Sequence, residues 1–220
     1  MTRENYWRIT KRFFKWCHER AEVIDRNPMI KVDPPKVPYE PPNILTPSQM
    51  QASLGAAQGD VEAMAWLCLG GFCGLRSCEI YRLDWEDINW VDGIINIRRP
   101  KRVPRWHPRF LEEEKPREGD GPNARFFQAL RRHLEPIALK SGPITKEKRV
   151  ENLRIRAAMI MGLSDWPANC LRHSFASYHV AVEKNFPKLQ ALMGHADARL
   201  TKYIYSIAIP RAEGERWWAL

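Results

Sequence analysis

The chain has 220 residues, 44% of them hydrophobic and 28% charged, an ordinary globular balance that excludes a disordered or low-complexity chain and allows one sizeable domain plus a fragment. Its most apolar run, Ala63–Gly74, is shorter than the roughly 18 residues a bilayer span needs, and the start Met1-Thr2-Arg3-Glu4-Asn5 lacks the basic-then-apolar order of a signal peptide, so an intracellular protein is expected. Thirty-five Lys and Arg against 26 Asp and Glu leave a net charge of +9, spread along the chain rather than gathered on one amphipathic helix, which favours nucleic acid over a membrane surface as the polyanionic partner.

In chain order, Tyr6, Ile9, Phe13, Trp16 and Cys17 recur at the three-and-four spacing of an amphipathic helix, whose other face carries Arg8, Lys11, Arg12 and Lys15. A lone helix cannot bury that stripe by itself, so the segment packs on a larger body or is the remnant of a helical module. Pro28, Pro34, Pro35, Pro38, Pro41 and Pro42 then exclude helix and predict an extended linker. Thr46-Pro47 is a helix start, Thr as N-cap and Pro in the first turn, for a helix to about Ala57. A buried helix over Val61–Phe72 and a short one within Gly74–Leu83 follow. The dipeptide Asp92-Gly93 predicts a tight two-residue turn joining strands over Asp87–Val91 and Ile94–Arg99, with Val103–His107 as a third strand and Glu112–Gly121 as a loop. Helices are expected over Ala124–Lys140, Lys146–Met161, Asn169–Val182 and Pro187–Met193, with one or two short ones after Gly194. The fold class is mainly α with a small antiparallel β-sheet. Cys17, Cys68, Cys73, Cys78 and Cys170 are odd in number and lack zinc-knuckle spacing, so they read as small buried hydrophobes, with no metal site.

Taken singly, the polar residues have bland readings: Arg76 and Glu79 as a surface pair, His173 as a core histidine, Tyr205 as a packing residue. Their order and context say more. Gly74-Leu75-Arg76-Ser77-Cys78-Glu79-Ile80-Tyr81-Arg82-Leu83-Asp84-Trp85-Glu86-Asp87-Ile88 resembles the first arginine box of the tyrosine recombinase (phage integrase) family. Asn169-Cys170-Leu171-Arg172-His173-Ser174-Phe175-Ala176-Ser177 resembles the second box, and Leu192-Met193-Gly194-His195 the Gly-His element that precedes a tyrosine near the C-terminus. The resemblance covers about Leu45 to Leu220. It implies a catalytic domain over 46–220, a linker over 31–45, and over 1–30 the last helix of the core-binding domain that precedes the catalytic domain in this family.

The activity the resemblance implies is cleavage and rejoining of DNA through a 3′-phosphotyrosine, independent of metal and ATP, by a homo-tetramer of a cytoplasmic, prokaryotic or phage-encoded protein on double-stranded DNA. It casts Tyr205 as nucleophile, Arg76 and Arg172 as the donors that meet charge on the phosphate oxygens, and His195 as a further donor or proton acceptor. A hairpin lysine is the family's acid for the leaving oxygen, here Lys101 with Lys115 behind it. In supporting roles, Glu79 is expected to orient the Arg76 guanidinium, and His173, beside Arg172, to bond a backbone group or a neighbouring carboxylate. Arg98, Arg99, Arg102, Arg105, Lys11 and Lys15 are expected to contact DNA phosphates. Two departures stand out. Asn169 replaces the histidine that usually opens the second box, and asparagine can donate a hydrogen bond but cannot serve as a base near neutral pH. The family's spacing from the Gly-His histidine to the tyrosine falls on Ile204, between Tyr203 and Tyr205, which point about 200° apart on a helix; Ile204-Tyr205 matches the family's apolar-Tyr ending. The C-terminal Trp-Trp-Ala-Leu docks either on a neighbouring protomer or in cis. A DNA-binding remnant without cleavage activity and a type IB topoisomerase remain as alternatives.

Overall fold

The computed structural model describes residues 3–36, 41–97, 125–193 and 209–220. The chain divides into two compact units, Met1–Glu40 and Pro41–Leu220. In the first, helix α1 spans Arg3–Glu19. The chain after it returns through turns, with Trp7 Nε1 donating to the Val32 carbonyl at 3.0 Å and Met29 N to Asn27 Oδ1 at 2.9 Å. On α1, Lys11 lies 4.6 Å from the centre of the Trp7 ring and Lys15 pairs with Glu19 at 3.7 Å. Tyr6, Ile9, Phe13 and Trp16 are exposed.

The second unit contains helices α2 (Pro47–Ala56), α3 (Val61–Gly71), α4 (Ser77–Ile80), α5 (Arg125–Leu134), α6 (Glu147–Ile160), α7 (Cys170–Glu183), α8 (Phe186–Met193) and α9 (Arg211–Ala219). Strands β1 (Ile88–Asn89) and β2 (Ile94–Ile95) pair antiparallel, Ile88 opposite Ile95 and Asn89 opposite Ile94. The mainly helical fold with a small antiparallel sheet is the one expected. Thr46 caps α2 as foreseen: its side chain accepts from Gln49 N while Gln49 Oε1 accepts from Thr46 N, a reciprocal arrangement that satisfies two otherwise unpaired donors.

Helix α3 is the centre of the unit. Asp60 caps its start through Ala63 N, and Ala63 through Gly71 are all buried, as an all-round apolar helix requires. It packs between α5 and α7. Across α7 lies α9, whose Trp217 stacks on Tyr178 with ring centres 4.5 Å apart and meets Phe72 edge-on. Arg132 Nη1 donates to the Ala219 carbonyl at 2.8 Å, and His133 Nε2 lies 2.8 Å from the Leu220 carbonyl oxygen. Of the two dockings left open for the tail, this structure has the one in cis. Cys17, Cys68, Cys73 and Cys170 are buried and Cys78 is partly so, and burial pushes the Cys73 thiol well up.

Two expectations are corrected. The β-turn is a four-residue loop, because the Asn89 side chain accepts from Val91 N and Asp92 N and the Asn89 carbonyl accepts from Gly93 N; only Gly93 there takes a positive φ, 73°. The helix expected to reach Lys140 ends at Leu134 and passes into a short 3₁₀ turn, Glu135–Ile137, since Pro136 has no N–H to continue the ladder. The strand expected over 103–107 and the loop over 112–121 lie outside the described residues, as does the outer end of the second hairpin strand.

Candidate active site

The first box builds a turn and then a one-turn helix. Gly74 takes φ +65°, and a Cβ there would sit 2.5 Å from the Phe175 ring, so this turn requires glycine on both counts. Arg76 follows as the N-cap of α4 with extended backbone. Its own N–H donates to Glu79 Oε2 at 2.8 Å, and its Nη1 donates to Glu79 Oε1 at 3.1 Å. One carboxylate therefore holds Arg76 by backbone and side chain together. The rest of the box serves the fold: Leu83, Trp85 and Ile88 are buried, Asp87 Oδ2 accepts from Asp84 N, and Leu83 and Trp85 hydrogen-bond through their backbones to Ile144 and Gly142.

The second box lies on α7. Arg172 is 5% exposed. Its Nη1 donates to the Gly74 carbonyl and its Nη2 to the Met193 carbonyl at 2.6 Å, and Nη1 lies 3.9 Å from Glu79 Oε2. A buried guanidinium needs such partners. Here they are the glycine turn, the negative end of α8 and the carboxylate that also holds Arg76. Ser174 is a bracket of another kind, its Oγ accepting from Leu45 N and donating to the Cys170 carbonyl, both at 2.8 Å. Tyr178 Oη completes it by donating to the Leu45 carbonyl at 2.9 Å. Burial, and then the adjacent Arg172 charge, hold the His173 pKa below its ordinary value, which favours the neutral ring near pH 7.

Asn169 occupies the left-handed region at φ 57° immediately before α7, and its side chain makes no capping bond. It lines an open pocket of about 210 Å³ together with Arg76, Ser77, Tyr81, Glu147 and Arg154. An adjoining hollow is shared by Asn169, Arg154 and Arg172. The structure thus gathers Arg76, Glu79, Asn169 and Arg172 of the expected residues. Lys11 and Lys15 lie on α1 in the other unit. Lys101, Arg98, Arg99, Arg102, Arg105, His195 and Tyr205, with Lys115 and Tyr203, lie outside the described residues. Among the described residues no group of three or more His, Cys, Asp or Glu could hold a metal ion, and no helix is long and apolar enough to cross a membrane.

No family model matches the chain. The chain is 25% identical over 217 residues to the tyrosine recombinase XerD of Pseudomonas aeruginosa, covering 91% of this chain and 69% of that protein. It is 27% identical to XerD of Xanthomonas axonopodis pv. citri, over 89% of this chain and 68% of the other. Among solved structures, the Tn1549 transposon integrase in complex with a circular intermediate DNA superposes with a TM-score of 0.61 at 21% identity, over 96% of this chain and 78% of its own. The XerA recombinase superposes with a TM-score of 0.57 at 16% identity, over 97% and 82%. The chain is thus similar in sequence to the tyrosine recombinases, and its fold is the one seen in solved tyrosine recombinases and integrases.

Proposed function

We propose that the chain is a site-specific DNA recombinase that cleaves and rejoins strands through a 3′-phosphotyrosine. The observation that carries this reading is the Arg76–Glu79–Arg172 cluster, in which one carboxylate holds one guanidinium and lies beside another. Arg76, with a side chain 34% exposed, presents donors to a phosphate oxygen, while buried Arg172 adds a fixed positive charge from behind. Fixed donors of this kind stabilise charge that develops on non-bridging oxygens and need no reorganisation as the reaction proceeds.

In this reading the Tyr205 phenolate attacks phosphorus, its proton passing to His195 or water. The bond to the 5′-oxygen breaks, and that oxygen takes a proton from Lys101. The ester keeps the energy of the broken bond, so the reverse step rejoins a strand without ATP. Asn169 donates a hydrogen bond where a histidine would otherwise stand. Residues 46–220 form the catalytic domain, 31–45 the linker and 1–30 the remnant of a core-binding domain. The partner is double-stranded DNA held by a tetramer, with Arg98, Arg99, Arg102, Arg105, Lys11 and Lys15 on its phosphates.

The test is a nicked suicide duplex carrying candidate sites from the genomic sequence that flanks the gene, followed by a denaturing gel and peptide mass spectrometry. A covalent adduct at Tyr205, lost in Tyr205→Phe, is the expected result; an adduct at Tyr203 moves the nucleophile by two residues, to the other side of Ile204. The substitution at Asn169 favours one further reading, a DNA-binding relative without cleavage activity. Salt-sensitive DNA binding with no adduct on any substrate would select it.

A further inference from the structure

The pocket beside Arg76 holds a cation that neither arginine box supplies. Arg154 lies on α6 and lines both the open pocket with Arg76 and Asn169 and the adjoining hollow with Asn169 and Arg172. Its neighbours in sequence do something else: Arg149 and Arg156 both pair with Asp60, the cap of α3. Arg149 and Arg156 share one face of α6, whereas Arg154 points about 140° away from Arg149 around the helix axis. The Arg154 charge also reaches the first residue of α7. Burial pushes the Cys170 thiol up to about 12, and among the influences pulling it back is Arg154.

Resting on the recombinase reading above, we propose that Arg154 is a third guanidinium on the reacting phosphate, entering beside Asn169 where the second box lacks its histidine. The geometry suits exchange of partners. The described ion pair of Arg154 is with Glu151 at 3.2 Å, and the two side chains are 37% and 66% exposed. A surface pair of this kind is weak, so a phosphate with a fixed second donor on Asn169 displaces Glu151. Arginine fits two phosphate oxygens in a way that lysine does not.

The test compares wild type with Arg154→Ala, Arg154→Gln, Arg154→Lys and Glu151→Gln, using the full chain, the suicide duplex and the same uncut duplex for binding. Covalent capture by Arg154→Ala and Arg154→Gln should slow on the order of 100-fold, as when one oxyanion donor is removed. Arg154→Lys should restore part of that loss. The slope of log affinity against log salt should fall by about 0.9, the value of one phosphate contact. Glu151→Gln, which frees the guanidinium, should bind DNA more tightly than wild type. Capture at the wild-type rate in Arg154→Ala overturns the proposal, and does so even if the salt slope falls, because Arg154 would then grip a neighbouring phosphate. Should wild type itself give no adduct, the recombinase reading fails separately, and an unchanged salt slope in Arg154→Gln overturns the Arg154 contact on its own.

Discussion

At the scale of single residues, Glu79 has more consequences than its place three residues after Arg76 suggests. With only 13% of its side chain exposed, it accepts from the Arg76 backbone, accepts from the Arg76 guanidinium and lies 3.9 Å from Arg172. Glu79→Gln keeps the shape and one acceptor but removes the charge between two cations. It should lower stability by about 1–3 kcal/mol, the range for weakening a hydrogen bond to a charged group, and slow covalent capture much more than it weakens DNA binding. Urea unfolding and single-turnover capture measure the two effects, and wild-type values in both would show that the arginines position themselves. Gly74 is the second such residue. Its φ of +65° and the Phe175 ring 2.5 Å from a notional Cβ make Gly74→Ala costly by about 1–3 kcal/mol. Its carbonyl also accepts from Arg172, so the loss of capture should exceed what reduced folded population explains; capture that merely tracks folded population would confine Gly74 to the fold.

Among the elements, the C-terminal helix shows best where sequence reasoning stops. The helices around α3 were legible because capping residues and apolar periodicity are local signals: Thr46 and the apolar run after Val61 report their own structure. The two arginine boxes were legible too, being contiguous in sequence. What covers the Trp217-Trp218 surface is a long-range fact, and nothing in the last residues distinguishes the same body from a neighbouring one. The burial of Arg172 was equally hidden, since its carbonyl partners, Gly74 and Met193, belong to other segments. Arg154 is one of three arginines on α6, and although its angular separation from Arg149 and Arg156 follows from helical geometry alone, which of them lines the pocket is a long-range fact. In the short hairpin, Asp-Gly signals a turn but the loop length is decided by the Asn89 side chain. Since α9 docks in cis through Trp217, fully buried against Tyr178 and Phe72, Trp217→Ala should cost about 3–5 kcal/mol, the range for truncating a large buried aromatic. A calorimetric midpoint close to wild type would mean that α9 contributes little to this unit in solution.

For the whole molecule, acid should lower stability, and the sign follows from one buried group, His179, and one partly buried group, Asp60. His179 on α7 is 2% exposed; its Nε2 lies 3.6 Å from Glu183 Oε2, and Lys188 of α8 reaches the same oxygen at 3.0 Å. Burial lowers the His179 pKa to about 4, Glu183 opposing and Lys188 reinforcing the shift. An unfolded histidine titrates near 6.5, so the unfolded chain takes up this proton first. Stability should therefore be undiminished above that value and fall as pH drops from about 6.5 towards 4. Asp60 extends the loss into stronger acid. Burial alone would raise its pKa, but the Ala63 N–H and then Arg149 and Arg156 outweigh this and lower it, so its contribution is present above the ordinary carboxylate range and disappears as pH falls through the lowered value. A net charge of +9 that grows as carboxylates protonate adds self-repulsion in the same direction. His179→Gln separates these effects, because it removes the first limb and leaves the carboxylate limb in place. Urea midpoints measured from pH 7.5 down to about 4 should decline in wild type already below about 6.5, while those of His179→Gln hold level until carboxylates begin to protonate. Parallel curves for the two proteins would show that His179 is accessible to protons in the folded state, through opening of the partly exposed Glu183–Lys188 pair that joins α7 to α8.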